Sequence, residues 1–255
     1  MDELRTFFCR VGNKTPLLPT IEKLLPKDIK IFVELFVGSG AVFWGLPNTY
    51  LGEHQVLNDL DSNVVESFRL LKSANTDTSS YYVPPTLVGL NRFVNTKQIR
   101  PQDKLIKRLI TSCNTFGNTG RGKIYRDYQH KSKIEKIPLY KQKLKTATIS
   151  NADYIKVLKQ TDSKGTFFFL DPPYEESGSL YKHNEGGIDF EEMRKVLANI
   201  KGRFMLTIND SNYIRDVFRE FKIIPVVVRG GAFTEENKIN KIGGKNRKEL
   251  IIINY

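Results

Sequence analysis

Residues 165–174 read Gly-Thr-Phe-Phe-Phe-Leu-Asp-Pro-Pro-Tyr. The run from Thr166 to Leu170 has no polar face, so a strand built from it must be covered on both sides, as in a parallel sheet. Two prolines follow, and proline has no N–H to give to the ladder, so the strand must stop there. Asp171 is thereby fixed at the end of a core strand, with a rigid elbow and Tyr174 behind it.

The rest of the chain alternates strand and helix patterns. Apolar or alternating runs predict strands at 30–36, at "HQVLND", at 146–150, at 166–171, and at "RFMLTI", "IIPVVV" and "ELIIINY". A first helix is expected in "KTPLLPTIEKLLP", with Thr15 as its N-cap, Pro16 in its first turn and Pro26 ending it. Further helices are predicted in "DSNVVESFRLLKS", over 103–113, over 189–200 and from Ser211. Residues 73–86, rich in Ser, Thr, Asn and Pro, mark a boundary loop. This is the pattern of a doubly wound α/β fold in which residues 1–72 and 146–255 form one domain and 73–145 an insertion.

Charge is concentrated in that insertion. The chain carries a formal net charge of +12 over 255 residues. Residues 84–150 hold 15 Lys and Arg against Asp103, Asp127 and Glu135, so this one stretch carries the whole excess. A localised basic block is the footprint of a polyanion partner, nucleic acid first. No run of about 18 apolar residues is present, which predicts no membrane span, and the N-terminus lacks the layout of a signal peptide. Cys9 and Cys113 are expected as two reduced core thiols of a cytoplasmic protein, with a single disulfide as the alternative. No His or Cys pair has metal-ligand spacing, so no metal is predicted.

The strand at 30–36 runs into Phe36-Val37-Gly38-Ser39-Gly40 and then a helix. Glycines in such a turn let backbone approach a nucleotide cofactor closely. The next strand ends in Asp59, about 20 residues further on, where an acid accepts hydrogen bonds from two ribose hydroxyls. The third glycine of a dinucleotide site is replaced by Phe43, which favours a single-nucleoside cofactor such as S-adenosylmethionine over NAD or FAD.

In open α/β sheets, ligands bind beyond the carboxyl ends of the strands. Asp171 stands at such an end, on the same edge as the glycine turn. Its carboxylate can accept one N–H of an exocyclic base amine and the Pro172 carbonyl the other, while Tyr174 stacks on the base. Two acceptors draw the amine lone pair out of conjugation, so that the nitrogen can attack a methyl group in line.

"DPPY", "FVELFVGSGAVFW" and "GNKTPLLPTI" together resemble the DNA adenine methylase (Dam) family of N6-adenine methyltransferases, and the likeness covers most of the chain in order. The resemblance implies a Rossmann-like, seven-stranded S-adenosylmethionine-dependent methyltransferase sheet with an inserted, mainly helical DNA-recognition subdomain. It implies methyl transfer to N6 of an adenine flipped out of double-stranded DNA. It puts Lys14 in the cofactor-binding "GNK" element, Phe36, Gly38 and Gly40 in the cofactor turn, Asp59 on the ribose and Asp153 on the cofactor's adenine amine. Asp171 and Tyr174 become the catalytic pair, with Asp171 also facing the cofactor. Arg10 stands where the family has an aromatic residue near the cofactor, and is expected to stack by its guanidinium plane or to be displaced. Asn114, Asn118, Arg121, Lys123 and Arg126 are candidate DNA-binding residues of the recognition loop, with Asn suited to adenine and Arg to guanine. Lys104, Lys107, Arg108, Lys131 and Lys133 are expected on phosphates. A monomer is expected, with a cognate restriction endonuclease as an unassociated companion. The alternatives are N4-cytosine or RNA amine methylation on the same scaffold, or a catalytically silent DNA-binding protein.

Overall fold

The computed structural model describes residues 4–10, 12, 14–114, 124, 130–173, 187–228 and 246–255. In chain order the elements are α1 (Leu18–Leu24), β1 (Ile31–Glu34), α2 (Ala41–Gly45), β2 (His54–Asn58), α3 (Ser62–Lys72), α4 (Leu87–Asn95) and α5 (Pro101–Asn114). They continue with α6 (Lys131–Glu135), α7 (Ile137–Lys143), β3 (Ala147–Ser150), α8 (Tyr154–Thr161), β4 (Thr166–Leu170) and α9 (Phe190–Leu197). The chain closes with β5 (Arg203–Asn209), α10 (Asn212–Val217), β6 (Lys222–Val228) and β7 (Arg247–Ile253).

Two ladders make the sheet, β1-β4-β5-β7-β6 and β2-β3. Ile31 bridges Gly52, and Val37 N–H donates to the Asn58 carbonyl at 2.8 Å, which sets β2 beside β1. The strand order is therefore β3-β2-β1-β4-β5-β7-β6. β7 alone runs antiparallel to its neighbours. Pro225 is accommodated because β6 is an edge strand, where a missing N–H costs no ladder bond.

β4 is buried along its whole length, and its side chains divide by alternation. Phe167 and Phe169 enter one core with Phe32, Met205 and Ile251; Phe168 and Leu170 enter the other with Val33, Phe204 and Ile252. The second core is closed by Val157, Met193 and Ile214 of α8, α9 and α10. The first takes Trp44 and Phe68 from α2 and α3, together with Leu90, Leu109 and Tyr140 of the insertion. Residues 73–145 thus share the hydrophobic core of the sheet's N-terminal side.

The first helix begins differently from expectation. A tight turn at Thr15–Leu17 precedes α1, Lys14 takes the cap position, and no side chain caps it. The amides that a Thr15 side chain would cap are already used by backbone, Leu17 N–H donating to the Lys14 carbonyl and Leu18 N–H to the Thr15 carbonyl. Leu25 is extended ahead of Pro26, and α1 ends there as predicted. Asp61, Asp189 and Ser211 cap α3, α9 and α10 through their side chains.

The two cysteines are not separate thiols. Cys9 is bonded to Cys113, with Cα atoms 4.9 Å apart. The physical reason is the path of the N-terminal segment, which lies against α5. Lys133 fastens the same junction. Its ammonium donates to the carbonyls of Thr6 (2.8 Å) and Phe7 (2.7 Å) and lies 3.7 and 3.6 Å from the two sulfurs. Burial pulls the Lys133 ammonium down to about 8. Thiol titration of the unfolded, unreduced chain should find no free cysteine, and reduction should lower the melting temperature by roughly 5–15 °C. Two titratable thiols before reduction would overturn the link.

Candidate active site

Asp171 follows the last residue of β4, level with Thr207 of β5 because Leu170 pairs with Leu206. Its Oδ1 accepts from Lys14 Nζ at 2.7 Å and from Thr207 Oγ1 at 3.1 Å. Lys14 is itself buried, and its ammonium also donates to the Gly12 carbonyl at 3.3 Å and stands 4.0 Å from Glu249 Oε2. Burial raises the Asp171 carboxyl above its ordinary range, the Lys14 ammonium opposes that rise, and the Glu249 charge adds to it. Pro172 is buried behind the acid. Tyr174 lies outside the described residues. Both donors to Asp171 therefore sit on one oxygen of the carboxylate, and the side chain of Lys14 points to the Asp171 end of the edge.

The glycine turn lies on the same edge. Gly38 and Gly40 take positive φ, 50° and 70°. A Cβ on Gly38 would meet nothing within 4 Å, so this turn faces open space. A Cβ on Gly40 would come within 2.9 Å of Phe68 and Trp44, so the second glycine is needed for packing as well as for its backbone. Asp59 is held by two amides: Gly38 N–H donates to Oδ2 and Asp61 N–H to Oδ1, both at 2.9 Å. Burial raises the Asp59 carboxyl, while those amides and Arg10 oppose the rise. Phe36 is half-buried against the ring of Tyr154, with centroids 5.2 Å apart. Asp153 is exposed at the start of α8, where its Oδ1 accepts from Ile155 N–H at 2.9 Å. Open turn, half-exposed ring and carboxylates suit a nucleoside, so these residues fit the cofactor that the sequence implies. Arg10 stacks on no ring among the described residues. Its guanidinium pairs with Asp61 at 3.3 Å, beside the Asp59 carboxylate.

Several residues of this edge carry no sequence signal. Asn58 donates to the carbonyls of Leu35 and Ala152 and accepts from Ala152 N–H, tying the glycine turn to the loop before α8. Glu34, inside an apolar strand, is buried and accepts from Phe43 N–H at 3.2 Å, which anchors α2. Thr207 and Glu249 likewise sit in runs that read as core strand. Only strand register brings them to the site.

The recognition residues divide. Asn114 is fully buried in the last turn of α5, so as placed it offers no amide to a base, which corrects that expectation. Lys133 holds the N-terminal segment and is not a phosphate ligand, a second correction. Arg108 bonds Glu66 and Asn63, and Lys107 donates to the Thr96 carbonyl. Lys104 and Lys131 are exposed. Asn118, Arg121, Lys123 and Arg126 lie outside the described residues.

A sheet ordered 3-2-1-4-5-7-6, with a glycine turn after β1 and an acid followed by two prolines after β4, defines a Rossmann-like methyltransferase. The chain belongs to the D12 class of N6 adenine-specific DNA methyltransferases, whose description matches residues 11–97 and 102–229. It is 24% identical over 288 residues to the Type II methyltransferase M1.LlaDCHI of Lactococcus lactis subsp. cremoris, covering 99% of this chain and 96% of that protein. It is 20% identical over 221 residues to the Type II methyltransferase M.CviBI of Paramecium bursaria Chlorella virus NC1A, covering 81% and 84%. A 76-residue stretch is 32% identical to the Type II methyltransferase M.MjaIII of Methanocaldococcus jannaschii, covering 28% and 26%. The protein is a site-specific DNA methyltransferase acting on adenine, so DNA is its substrate and a methyl donor its second reactant.

Burial also raises the Glu34 carboxyl well above its ordinary value, with the charges of Asp171 and Asp59 adding to the rise. The folded state then holds a proton that the unfolded chain releases near 4.5, so stability is lost as pH rises through the folded value. Glu34→Gln keeps an acceptor for Phe43 N–H and removes the ionisation. It should raise the melting temperature on the order of 5 °C at pH 8 and leave it unchanged at pH 5. Equal effects at the two pH values would refute the assignment.

Proposed function

We propose that the methyl donor is S-adenosylmethionine and that Asp171 carries the reaction. The observation behind this reading is the half-buried Asp171 carboxylate at the end of β4, with an ammonium donor 2.7 Å away on the edge that also holds Gly38 and Asp59. Asp59 would accept from the ribose hydroxyls, Phe36 would lie against the adenine ring of the donor, and Asp153 would hold its amine. When bound, the donor supplies an electrophilic methyl group on a sulfonium.

The chain's own part is to prepare the nitrogen. Asp171 accepts one N–H of the target amine and the Pro172 carbonyl the other, so the lone pair is localised on nitrogen. Tyr174 stacks on the extruded base. The burial that raises Asp171 also makes it a better acceptor for the proton that the methylated amine sheds. Arg10 keeps Asp61 and Asp59 in place. On the DNA side, exposed Arg92, Lys97, Lys104, Lys131 and Lys145 would meet phosphates. Asn118, Arg121, Lys123 and Arg126 would read bases. The segment 73–145 acts in this reading as the recognition subdomain, and the protein works as a monomer in the cytoplasm. The Type II designation of its relatives supports a paired restriction endonuclease.

Tritium transfer from labelled S-adenosylmethionine to genomic DNA, followed by digestion to nucleosides, tests the reading. Label should appear in N6-methyladenine. Label in N4-methylcytosine would change the base pocket, and no label with salt-sensitive DNA binding would mean a silent binder. Asp171→Ala should lower transfer by at least about 1,000-fold with DNA affinity retained; undiminished turnover would sink the mechanism. Asp59→Ala should weaken S-adenosylmethionine binding roughly 10–100-fold by calorimetry, and an unchanged affinity would move the ribose site elsewhere.

A further inference from the structure

We propose that Glu249 is a positioning residue that receives the Lys14 ammonium when the target amine takes Asp171. This inference rests on the role given to Asp171 above. Lys14 Nζ sits on Asp171 Oδ1 at 2.7 Å. In that position it competes with the substrate amine for the carboxylate. It also opposes the positive charge that grows on the amine nitrogen as the methyl group arrives. The ammonium has to move before transfer, yet Lys14 is only 5% exposed, and a buried ammonium needs another acceptor.

Glu249 supplies one. It is 2% exposed in β7, and its Oε2 lies 4.0 Å from Lys14 Nζ with no hydrogen-bond partner among the described residues. Its cross-strand partner Asn209 has an equally orphaned Oδ1. Asn209, Thr207 and Asp171 lie on the same face of the sheet, since Thr207 bonds Asp171 and Asn209 follows Thr207 by two residues. A buried acceptor without a donor, Glu249 Oε2, stands 4.0 Å from the donor that must relocate, with the Asn209 Oδ1 on its cross-strand partner. Bringing Nζ into hydrogen-bond range of Oε2 takes a shift of about 1 Å. The move pairs the ammonium with Glu249 and leaves Asp171, still accepting from Thr207, without a cation as it faces the amine. Orphaned buried acceptors are costly to a fold, and a second seat for Lys14 accounts for their presence here.

The test is Glu249→Gln, which keeps the shape and removes the charge, with Glu249→Asp as the conservative variant. Single-turnover methyl transfer should fall 10–100-fold in Glu249→Gln, while the dissociation constants for S-adenosylmethionine and DNA stay within twofold. Glu249→Asp should recover at least a third of the lost rate on a logarithmic scale. A Glu249→Gln rate within twofold of the parent would overturn the proposal. So would a loss confined to the dissociation constants, or equal loss in both variants. If Glu249→Gln does not fold, Glu249→Asp decides alone: a 3- to 10-fold slower single turnover at unchanged affinities supports the proposal, and an unimpaired rate overturns it. Failure here with N6-methyladenine still formed by the parent leaves the reading of Asp171 standing. Absence of N6-methyladenine from the parent removes that reading itself.

Discussion

The Asp171 carboxylate sits, partly shielded from water, at the end of a strand buried on both faces, and the rest of the molecule is arranged around making that tolerable. β4 can be wholly apolar only because helices cover both sides of the sheet. It can end in an acid only because Pro172 and Pro173 stop the ladder and Thr207 and Lys14 supply donors. Lys14 comes from the far end of the chain. Its segment is fixed in turn by the Cys9–Cys113 link and by Lys133 bonding the carbonyls of Thr6 and Phe7. A covalent and hydrogen-bonded path therefore runs from α5 to the residue that pairs with Asp171.

This path changes how the basic insertion is understood. Its charge excess looks like a surface for a polyanion, and exposed Lys104, Lys131 and Lys145 fit that. Several of its cations instead fasten the fold. Lys143 donates to the carbonyls of Trp44 and Leu46 at the end of α2, and Lys141 to the Ala74 carbonyl just past α3. Cations near helix C-termini satisfy carbonyls that have no partner within the helix. Burial brings Lys143, like Lys133, down to about 8. Charge concentrated in sequence is thus divided between stapling and exposure, and only the exposed part can meet a phosphate.

The strands were legible because period and continuity are local properties: all seven fall where apolar runs place them. The glycine turn, Asp59 and Asp171 were legible because strand ends in such a sheet are where ligands bind. Glu34, Thr207 and Glu249 were not, since each lies inside a run that reads as core. Their meeting depends on pairings such as Asn209 with Glu249 across 40 residues. The Cys9–Cys113 bond was misjudged for the same reason, because nothing near either cysteine in sequence indicates that the N-terminal segment crosses α5. Arg10 was expected to stack by its guanidinium plane or to be displaced, and an acid within reach, Asp61, offers a guanidinium a stronger partner than a ring face.

Four carboxyl groups, Glu34, Asp59, Asp171 and Glu249, gather toward one edge of the sheet, and each is accommodated differently. Asp59 takes two backbone amides. The Glu34 carboxyl is raised by its burial and steadies α2 through Phe43 N–H. Asp171 and Glu249 both face Lys14, one at 2.7 Å and the other at 4.0 Å. A fold selected for stability alone would replace such a cluster with apolar side chains, which cost less to bury. A fold that must bind an amine, and release whatever cation guards its acceptor, needs more acceptors than one arrangement can satisfy. The surplus of acid at this edge is the physical mark of a site that passes through more than one arrangement of donors.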